Sequence, residues 1–348
     1  MNKENIYTTD GRVKHFSQEE DVNAKLARML GERFVRYREE WDAVNKFELE
    51  TEYPLFIQFD LNRLCNLRCV HCLQRYPEHL KRYSGGQNPL SWKGYQRVVL
   101  ESEEFDCPSL TLCGINEPLI MPDMEEYIKY AHKHGFIDIM INTNGVLLTE
   151  ERSKRILDCG LTRLRFSLDA ASLDSYRKIR GRDDYDQVIK NIELFLKLKK
   201  DGGYKLPITG ANFCKLSLNE HEEDKFLDFW RDKVDIVTTQ TFTPLVSEKE
   251  GYSLYPSDQF DQKESLEQFK CAQPFQRVVV RDYVIYPCCY IGNDLKIGDL
   301  KTDTIYRAWN SKKMRNISDL HKTGQYKKNK TCNYCANLFF PQKRADNG

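Results

Sequence analysis

The sequence predicts an α/β protein in which repeated βα units build a parallel sheet. Short apolar runs of strand length alternate with amphipathic stretches through the middle of the chain, and this alternation is typical of βα units. Six units in succession favour a partial barrel over a doubly wound sheet, although the pattern alone is compatible with both. The predicted strands cover residues 55–61, 109–113, 137–142, 163–168, 207–214 and 235–240.

The segments between these strands carry start and stop signals of helices. Ser91 and Thr149 are suited to cap two of them, because their hydroxyls can accept hydrogen bonds from the first helical turn. Gly135 stands where a third helix is expected to end. The predicted helices cover residues 92–101, 124–134, 150–159 and 186–200.

Changes in pattern along the chain predict three regions. Residues 1–54 form an N-terminal helical extension, with one amphipathic helix over residues 22–41. Residues 55–260 carry the βα units, and residues 261–348 form a small C-terminal domain. That domain is expected to contain a β-hairpin with its turn at Arg281-Asp282.

Composition indicates a cytoplasmic protein that does not bind nucleic acid. The 348 residues include 53 basic and 52 acidic side chains, so no net field attracts nucleic acid or an anionic membrane. The N-terminus lacks the apolar core of a signal peptide, and no apolar run is long enough to span a bilayer. A reducing cytoplasm would keep the cysteines free of disulfides.

Seven of the twelve cysteines form two groups that look like ligand sets for metal clusters. The first is a CX3CX2C run directly after the first predicted strand. Three thiolates can hold three irons of a four-iron cluster and leave the fourth open to a small molecule, which indicates chemistry at that iron. The second group offers four ligand positions near the C-terminus, enough to give each iron of a four-iron cluster a protein ligand. The first group is Cys65, Cys69 and Cys72, and the second is Cys271, Cys288 or Cys289, Cys332 and Cys335.

Zinc is the alternative at both groups, because CX2C pairs often bind it. At the first group His71 could complete a Cys3His site, but adjacent residues such as His71 and Cys72 rarely point at one tetrahedral ion. At the second group a closed four-thiolate site suits zinc as well as an iron–sulfur cluster. Spacing alone therefore leaves zinc open there.

Four motifs fall at or just beyond the C-terminal ends of predicted strands, the rim where catalytic loops of barrel-like folds converge. They are the three-cysteine run, residues 114–118, Asn142-Thr143-Asn144-Gly145 and Ser167-Leu168-Asp169. In this order they resemble the cluster signature, GGEP segment, strand-three ending and strand-four motif of the radical S-adenosylmethionine (radical SAM) superfamily. The C-terminal cysteines are similar to its SPASM or twitch extension. The resemblance selects a partial (β/α)6 barrel.

The resemblance implies two kinds of cofactor, S-adenosylmethionine (SAM) and [4Fe–4S] clusters, one that binds SAM and one auxiliary. SAM would chelate the open iron of the first cluster, and its reductive cleavage would release a 5′-deoxyadenosyl radical that abstracts a hydrogen atom from substrate. The electron donor would be flavodoxin- or ferredoxin-like. Similarity to the family's P-C-C pattern favours Cys288 over Cys289 as the auxiliary ligand.

The strand-two motif is implied to contact the methionine part of SAM. Gly114 would allow close approach of the backbone. Asn116 stands where relatives usually have glycine. Among the other residue types, asparagine is the one that best tolerates positive φ. Glu117 could accept a hydrogen bond from the SAM ammonium, or it could form a salt bridge at the rim.

The remaining implied SAM contacts come from the later strands. Ser167 and Asp169 carry acceptors suited to ribose hydroxyls. Arg180 could pair with the methionine carboxylate, because a guanidinium matches carboxylate geometry, or it could be an ordinary surface charge. Asn144 belongs to the strand-three ending.

No motif identifies the substrate. The N-terminal extension is too short for the peptide-recognition module of many peptide-modifying relatives, which favours a small polar, sugar- or cyclitol-like substrate. A fully ligated auxiliary cluster suggests electron acceptance and therefore a two-electron oxidation. The alternative is maturation of a ribosomal peptide by crosslinking or by epimerisation, in which a spare cysteine would return a hydrogen atom. A non-catalytic metal-binding protein is disfavoured by the four rim motifs.

Overall fold

The computed structural model describes residues 5–8, 13–17, 21–78, 89–243, 252–257, 269–290 and 292–339. Within these residues a single eleven-stranded mixed sheet organises the fold. Its strands are β1 (Asn5–Thr8), β2 (Val13–Ser17), β3 (Phe56–Asp60), β4 (Ser109–Thr111), β5 (Asp138–Thr143), β6 (Arg163–Ser167), β7 (Ile208–Lys215), β8 (Ile236–Thr241), β9 (Arg277–Arg281), β10 (Val284–Tyr286) and β11 (Gly298–Asp299).

The six predicted strands are confirmed as β3 to β8, and each pairs in parallel with the next along the chain. The sheet does not close on itself, because β3 also pairs with β9 and β8 also pairs with β2. The six-stranded part is therefore a partial (β/α)6 barrel, as expected. Strands β9 and β2 extend it at its two edges.

The helices between the strands include all those predicted. Ser91 Oγ accepts a hydrogen bond from the Gly94 amide, and Thr149 Oγ1 accepts one from the Arg152 amide, so both predicted caps are confirmed. The helices are α1 (Val22–Leu30), α2 (Glu32–Asn45), α3 (Trp92–Glu104), α4 (Met124–Lys133), α5 (Glu150–Leu157), α6 (Leu173–Arg180), α7 (Tyr185–Asp201), α8 (Glu223–Trp230), α9 (Gln273–Gln276), α10 (Ile305–Trp309), α11 (Lys312–Lys322) and α12 (Lys330–Phe339).

Between β3 and β8, the structure contains two helices that were not predicted, α6 and α8. In the part of the chain that the structure describes, no helix has both the length and the apolar character that a membrane span requires.

The N-terminal region differs from the single helix predicted over residues 22–41. The predicted helix is interrupted at Gly31, between α1 and α2. The φ of Gly31, 76°, lies in the region that favours glycine. A side chain at Gly31 would meet nothing within 4 Å, so the backbone conformation accounts for glycine there. The region is also not wholly helical, because β1 and β2 form an antiparallel pair at the edge of the sheet.

The C-terminal hairpin is confirmed, but its turn lies one residue later than predicted. Asp282 and Tyr283 are the two turn residues, and both have positive φ, 48° and 66°. A two-residue hairpin turn with both residues at positive φ matches the twist of the flanking strands. Arg281 therefore belongs to β9, where it is 2% exposed and forms an ion pair with Asp60 of β3.

Side chains on the parallel strands alternate between an apolar outer face and a polar inner face. Phe166 of β6 packs against Phe195 of α7, with ring centroids 6.0 Å apart. Successive residues of a strand point to opposite faces, so Arg165 and Ser167 face inward. We call the space enclosed by the inner faces of β3 to β8 the lumen. Its polar lining contrasts with the apolar core that the outer faces build with the helices.

Removing Asp60 should destabilise the protein strongly. Asp60 is 1% exposed, and its loss would leave the buried Arg281 guanidinium without its carboxylate. Breaking a buried ion pair by removing one partner costs about 3–5 kcal/mol. We expect Asp60→Ala to lower the free energy of unfolding, measured by urea denaturation under anaerobic conditions, by an amount in that range.

Glu150→Ala is the matched control, because it removes a carboxylate whose ion pair with Lys154 is exposed on α5. Exposed pairs contribute little to stability. An equal loss of stability in the two variants would contradict the importance of the Asp60–Arg281 pair.

Candidate active site and auxiliary metal centre

The four predicted motifs lie together at the C-terminal rim of the parallel strands. The loop after β3 carries the three cysteines and contacts the loop after β4, because the Glu117 amide donates to Leu64 O at 2.9 Å. Asn144, after β5, donates from Nδ2 to Asn66 Oδ1 at 2.7 Å. Gln74 Nε2 donates to Ile115 O at 2.5 Å. Neighbouring loops of the rim are thus bonded to the cysteine loop.

The three thiols of the first group lie close to one another. Burial, with a smaller effect of the neighbouring thiols of Cys69 and Cys65, raises the pKa of Cys72 to about 11. Burial also raises the pKa of Cys65, and the Leu67 amide lies 3.4 Å from Cys65 Sγ as a hydrogen-bond donor. Three clustered thiols suit a cationic centre, since thiolates bind iron or zinc.

Arg180 lies beside this group and is not a surface charge, so that interpretation is wrong. Its side chain is 6% exposed, and its guanidinium donates to Cys69 Sγ at 3.4 Å and to Asp169 Oδ2 at 2.5 Å. The Val70 amide, within the cysteine loop, donates to Ile179 O at 2.9 Å. The end of α6 therefore holds the cysteine loop through both backbone and side chain.

Asp169 is committed to protein partners in the described structure. Besides Arg180, its Oδ1 accepts a hydrogen bond from the Cys214 amide at 2.7 Å, which joins β6 to β7. His71 Nε2 lies 3.5 Å from Asp169 Oδ2, and burial lowers the pKa of His71 to about 4. Ser167, by contrast, is half-buried and its hydroxyl makes no hydrogen bond among the residues described.

The strand-two motif is held by internal hydrogen bonds. Glu117 is 3% exposed, and its carboxylate accepts from Thr143 Oγ1 at 2.7 Å and from the Asn144 amide at 2.8 Å. Within the described ranges it has no salt bridge. Gly114 is required by space, because an added Cβ would lie 1.5 Å from Asp60 Oδ1. The backbone of the rim is thus closely packed and held by internal hydrogen bonds.

The expectation that Asn116 adopts positive φ is wrong, because its φ is not positive. Its side-chain Oδ1 instead accepts a hydrogen bond from the Gly114 amide at 3.0 Å, and so it closes the loop locally. Asparagine side chains often form such hydrogen bonds with backbone groups that are near in sequence.

Four cysteines of the second group line one cavity between the hairpin and helices α11 and α12. Burial raises the pKa of Cys288 well above its ordinary value, and the nearby thiols of Cys289, Cys271, Cys335 and Cys332 act in the same direction. Cys289 is exposed and its Sγ lies 3.4 Å from Gln273 Oε1. The cavity is lined by Cys271, Cys288, Cys332 and Cys335, together with His321 and apolar side chains.

Within the described ranges, no three His, Cys, Asp or Glu side chains are arranged around a single metal ion. A four-iron cluster differs from a single ion in that each thiolate binds a different iron. Of the spare cysteines, Cys107, Cys113 and Cys159 are buried. Cys113 follows β4, and its Sγ accepts from the Asn142 amide at 3.3 Å.

The polar groups of the lumen below the rim were not predicted from the sequence. Asn142 Oδ1 and Asn212 Oδ1 are buried and have no hydrogen-bond partner among the described residues. Arg165 lies between their strands on β6. The signal that could have found them is the alternation of polar and apolar residues within strands predicted to be buried on both sides.

Two protein-family models match the chain. The radical SAM superfamily model covers residues 61–214, and a SPASM iron–sulfur cluster-binding domain covers residues 271–336. Their matched ranges contain the two cysteine groups. The matches confirm the resemblance on which the cofactor prediction rests.

Parts of the chain are similar in sequence or in fold to known proteins. A probable GTP 3',8-cyclase of Methanocaldococcus jannaschii is 28% identical over 196 residues, which span 56% of this chain and 61% of that protein. BtrN in complex with AdoMet and 2-DOIA superposes with a TM-score of 0.52 at 15% identity, covering 82% of this chain and 94% of BtrN. Streptococcus suis SuiB bound to its precursor peptide SuiA gives 0.55 at 12% identity, covering 90% and 75%.

These structural likenesses concern the fold, while the two family models concern the ligand-bearing regions. Both agree with the partial barrel and the small C-terminal cysteine-rich region described above. The two matched domains imply SAM and iron–sulfur clusters as cofactors. Residues 61–214 belong to the radical SAM superfamily, and residues 271–336 form a SPASM iron–sulfur cluster-binding domain.

Proposed function

We propose that this radical SAM enzyme is an oxidoreductase that acts on a small polar, sugar- or cyclitol-like substrate. The observation that carries the substrate class is the set of buried polar groups in the lumen that have no hydrogen-bond partner among the described residues, including Asn142 Oδ1 and Asn212 Oδ1. Buried polar groups are nearly always hydrogen-bonded in proteins. A compact molecule with several hydroxyls would supply the missing partners from inside the lumen.

Two ligand sets follow from the positions of the thiols. Cys65, Cys69 and Cys72 would hold the cluster that binds SAM, and the Arg180 guanidinium would stabilise the thiolate of Cys69. When bound, this cluster and SAM supply a carbon radical that removes a hydrogen atom from substrate. The auxiliary ligands would be Cys271, Cys288, Cys332 and Cys335, which line a common cavity.

The rim residues would orient SAM above the lumen. Gly114 would contact SAM through its backbone, and Ser167 offers a hydroxyl that no described protein group uses. The space that a Cβ at Gly114 would take is filled by Asp60 Oδ1. Asp169 and Arg180 would act mainly through each other, since their ion pair fixes the rim beside Cys69. Orientation matters here because a radical displaced by about 1 Å reacts at a different carbon. The proposed SAM-binding set is Gly114, Asn116, Glu117, Asn144, Ser167, Asp169 and Arg180.

The assignment as an oxidoreductase rests on the second ligand set. Four thiolates leave no iron open, so the chemistry expected at this centre is electron transfer and not substrate coordination. Oxidation of a carbinol requires removal of a second electron after hydrogen abstraction, and a closed cluster is suited to accept it. We place the enzyme in the cytoplasm with a flavodoxin- or ferredoxin-like donor. Residues 1–54, 55–260 and 261–348 would be its extension, catalytic barrel and auxiliary-cluster domain.

A second candidate function is ribosomal-peptide maturation with epimerisation. The observation that favours it is the position of Cys113, a buried thiol that follows β4 and contacts the Asn142 amide on the lumen side. A thiol next to a substrate radical can return a hydrogen atom to carbon. SuiB, which shares the fold, is known with a bound precursor peptide.

The triple variant Cys65→Ala, Cys69→Ala, Cys72→Ala should not cleave SAM when dithionite is the reductant. Only the three-cysteine set leaves an iron open to SAM. Cys332→Ala, which alters the auxiliary set, should still form 5′-deoxyadenosine. The nucleoside is quantified by chromatography after anaerobic reconstitution of each protein.

Iron analysis of the same preparations provides the control. The triple variant should lose about half of the iron of the wild type, whereas Cys289→Ala should lose none, because Cys289 lies outside the cavity that Cys288 lines. Full SAM cleavage by the triple variant would overturn the assignment of the catalytic cluster.

A further inference from the structure

Arg165 is a charged side chain of the lumen that has no ionic partner among the described residues. It lies at the middle of β6, is half-buried, and makes no hydrogen bond or ion pair within the described part of the chain. A guanidinium remains protonated at any ordinary pH. Partial shielding from water strengthens the attraction of such a charge for an anion that enters the lumen.

The neighbouring carboxylate is already engaged. Arg163 binds Asp138 through two hydrogen bonds, Nε to Oδ1 at 2.7 Å and Nη2 to Oδ2 at 3.0 Å. Burial and the repulsion of Arg163 lower the pKa of Arg165 to about 10. Both effects disfavour the charged form, and both would be offset by a bound anion.

The surroundings of Arg165 supply polar groups. Its cross-strand neighbours are Asn142 on β5 and Gly210 on β7. A Cβ on Gly210 would lie 3.4 Å from Arg165 Cγ, which is ordinary van der Waals contact, so Gly210 lies directly beside this side chain. His15 of β2 lies close enough for Arg165 to lower its pKa, after burial, to about 4, and its Nδ1 is 2.9 Å from Thr238 Oγ1. His15 is therefore neutral and can hydrogen-bond without adding charge.

We propose that Arg165, with Asn142 and His15 beside it, binds a carboxylate or phosphate group of the substrate. This deepens the proposed function and rests on it, because it requires the substrate to occupy the lumen. Ser167 lies two residues further along β6, about 7 Å closer to the rim. An oxyanion held at Arg165 would therefore place the rest of a compact substrate between Arg165 and SAM.

The test is the thermal stabilisation of the anaerobically reconstituted enzyme, with SAM, by glycolate, by glycerol 3-phosphate and by neutral glycerol. At least one of the two anions should stabilise the wild type more than glycerol does. Arg165→Gln should weaken the apparent affinity for that anion by about tenfold or more, since a hydrogen bond to a charged group is lost. Arg165→Lys should keep part of the response, because it retains the charge.

Arg177→Gln is the matched control, because Arg177 is an exposed arginine of α6 paired with Asp183. It should respond like the wild type. The inference is overturned if neither anion stabilises the wild type, if Arg165→Gln responds equally, or if Arg177→Gln loses the response as well. Wild-type SAM cleavage is measured on the same preparation. Cleavage without an anion response rejects the oxyanion site alone, whereas absence of cleavage rejects the proposed function.

An independent observation concerns His321 in the auxiliary cavity. His321 is 2% exposed, and its Nε2 lies 3.4 Å from Cys332 Sγ. Its Nδ1 is buried and has no hydrogen-bond partner among the residues described. A neutral imidazole carries one N–H group, and Nε2 is the nitrogen that has an acceptor here. The ring is held parallel to Tyr326, with an interplanar angle of 8°.

We infer that His321 donates a hydrogen bond to the Cys332 thiolate when the four cysteines hold the auxiliary cluster. It is a positioning residue, since it acts through a ligand. A hydrogen bond to a cluster thiolate reduces the negative charge on sulfur and so favours the reduced cluster. His321 would therefore make the cluster a better electron acceptor.

The measurement is a redox titration followed by electron paramagnetic resonance in the Cys65→Ala, Cys69→Ala, Cys72→Ala background, which retains the auxiliary set. His321→Phe should shift the midpoint potential to a more negative value, and His321→Gln should restore part of it, because the amide can donate. Ile317→Val, in the same cavity, is the control and should leave the potential unchanged. An unchanged potential in His321→Phe, or loss of the cluster from it, would overturn the inference.

Discussion

The ion pair between Arg180 and Asp169 is the interaction on which the rim depends. Asp169 follows β6 with a φ of 57°, a conformation that a non-glycine residue keeps only when its surroundings hold it. Its carboxylate joins the Cys214 amide to the Arg180 guanidinium, and the guanidinium reaches Cys69 Sγ. One pair thus connects β6, β7, the end of α6 and the cysteine loop, and it places a fixed positive charge beside the sulfur of Cys69.

The parts of the fold that were predicted are those governed by local pattern. Strands β3 to β8 were found because each is a short apolar run, and the helix caps Ser91 and Thr149 were found because capping is a local hydrogen bond. The hairpin turn was misplaced by one residue, since Asp282 and Tyr283 adopt positive φ without the glycine that usually marks such a turn. The break at Gly31 was missed because an isolated glycine within a helical pattern is often tolerated.

The features of the site that local sequence could predict also differ from those that depend on tertiary contacts. Cysteine spacing predicted the two cysteine groups, but the buried position of Arg180 depends on residues far apart in the chain and could not be predicted from its neighbours in sequence. The polar lumen was missed for a related reason. Arg165 and Asn212 lie in the same lumen only because parallel pairing brings their strands side by side. His15 enters the lumen through β2, which pairs with β8 from more than 200 residues away.

The central claim is that three thiolates at the rim leave one iron of a cluster open to SAM. The Mössbauer spectrum of a Cys332→Ala, Cys335→Ala variant, reconstituted with enriched iron so that only the first cluster contributes, tests it most directly. The account predicts that added SAM changes the signal of one iron of the four and leaves the other three as they were. A spectrum that SAM does not alter would contradict the account.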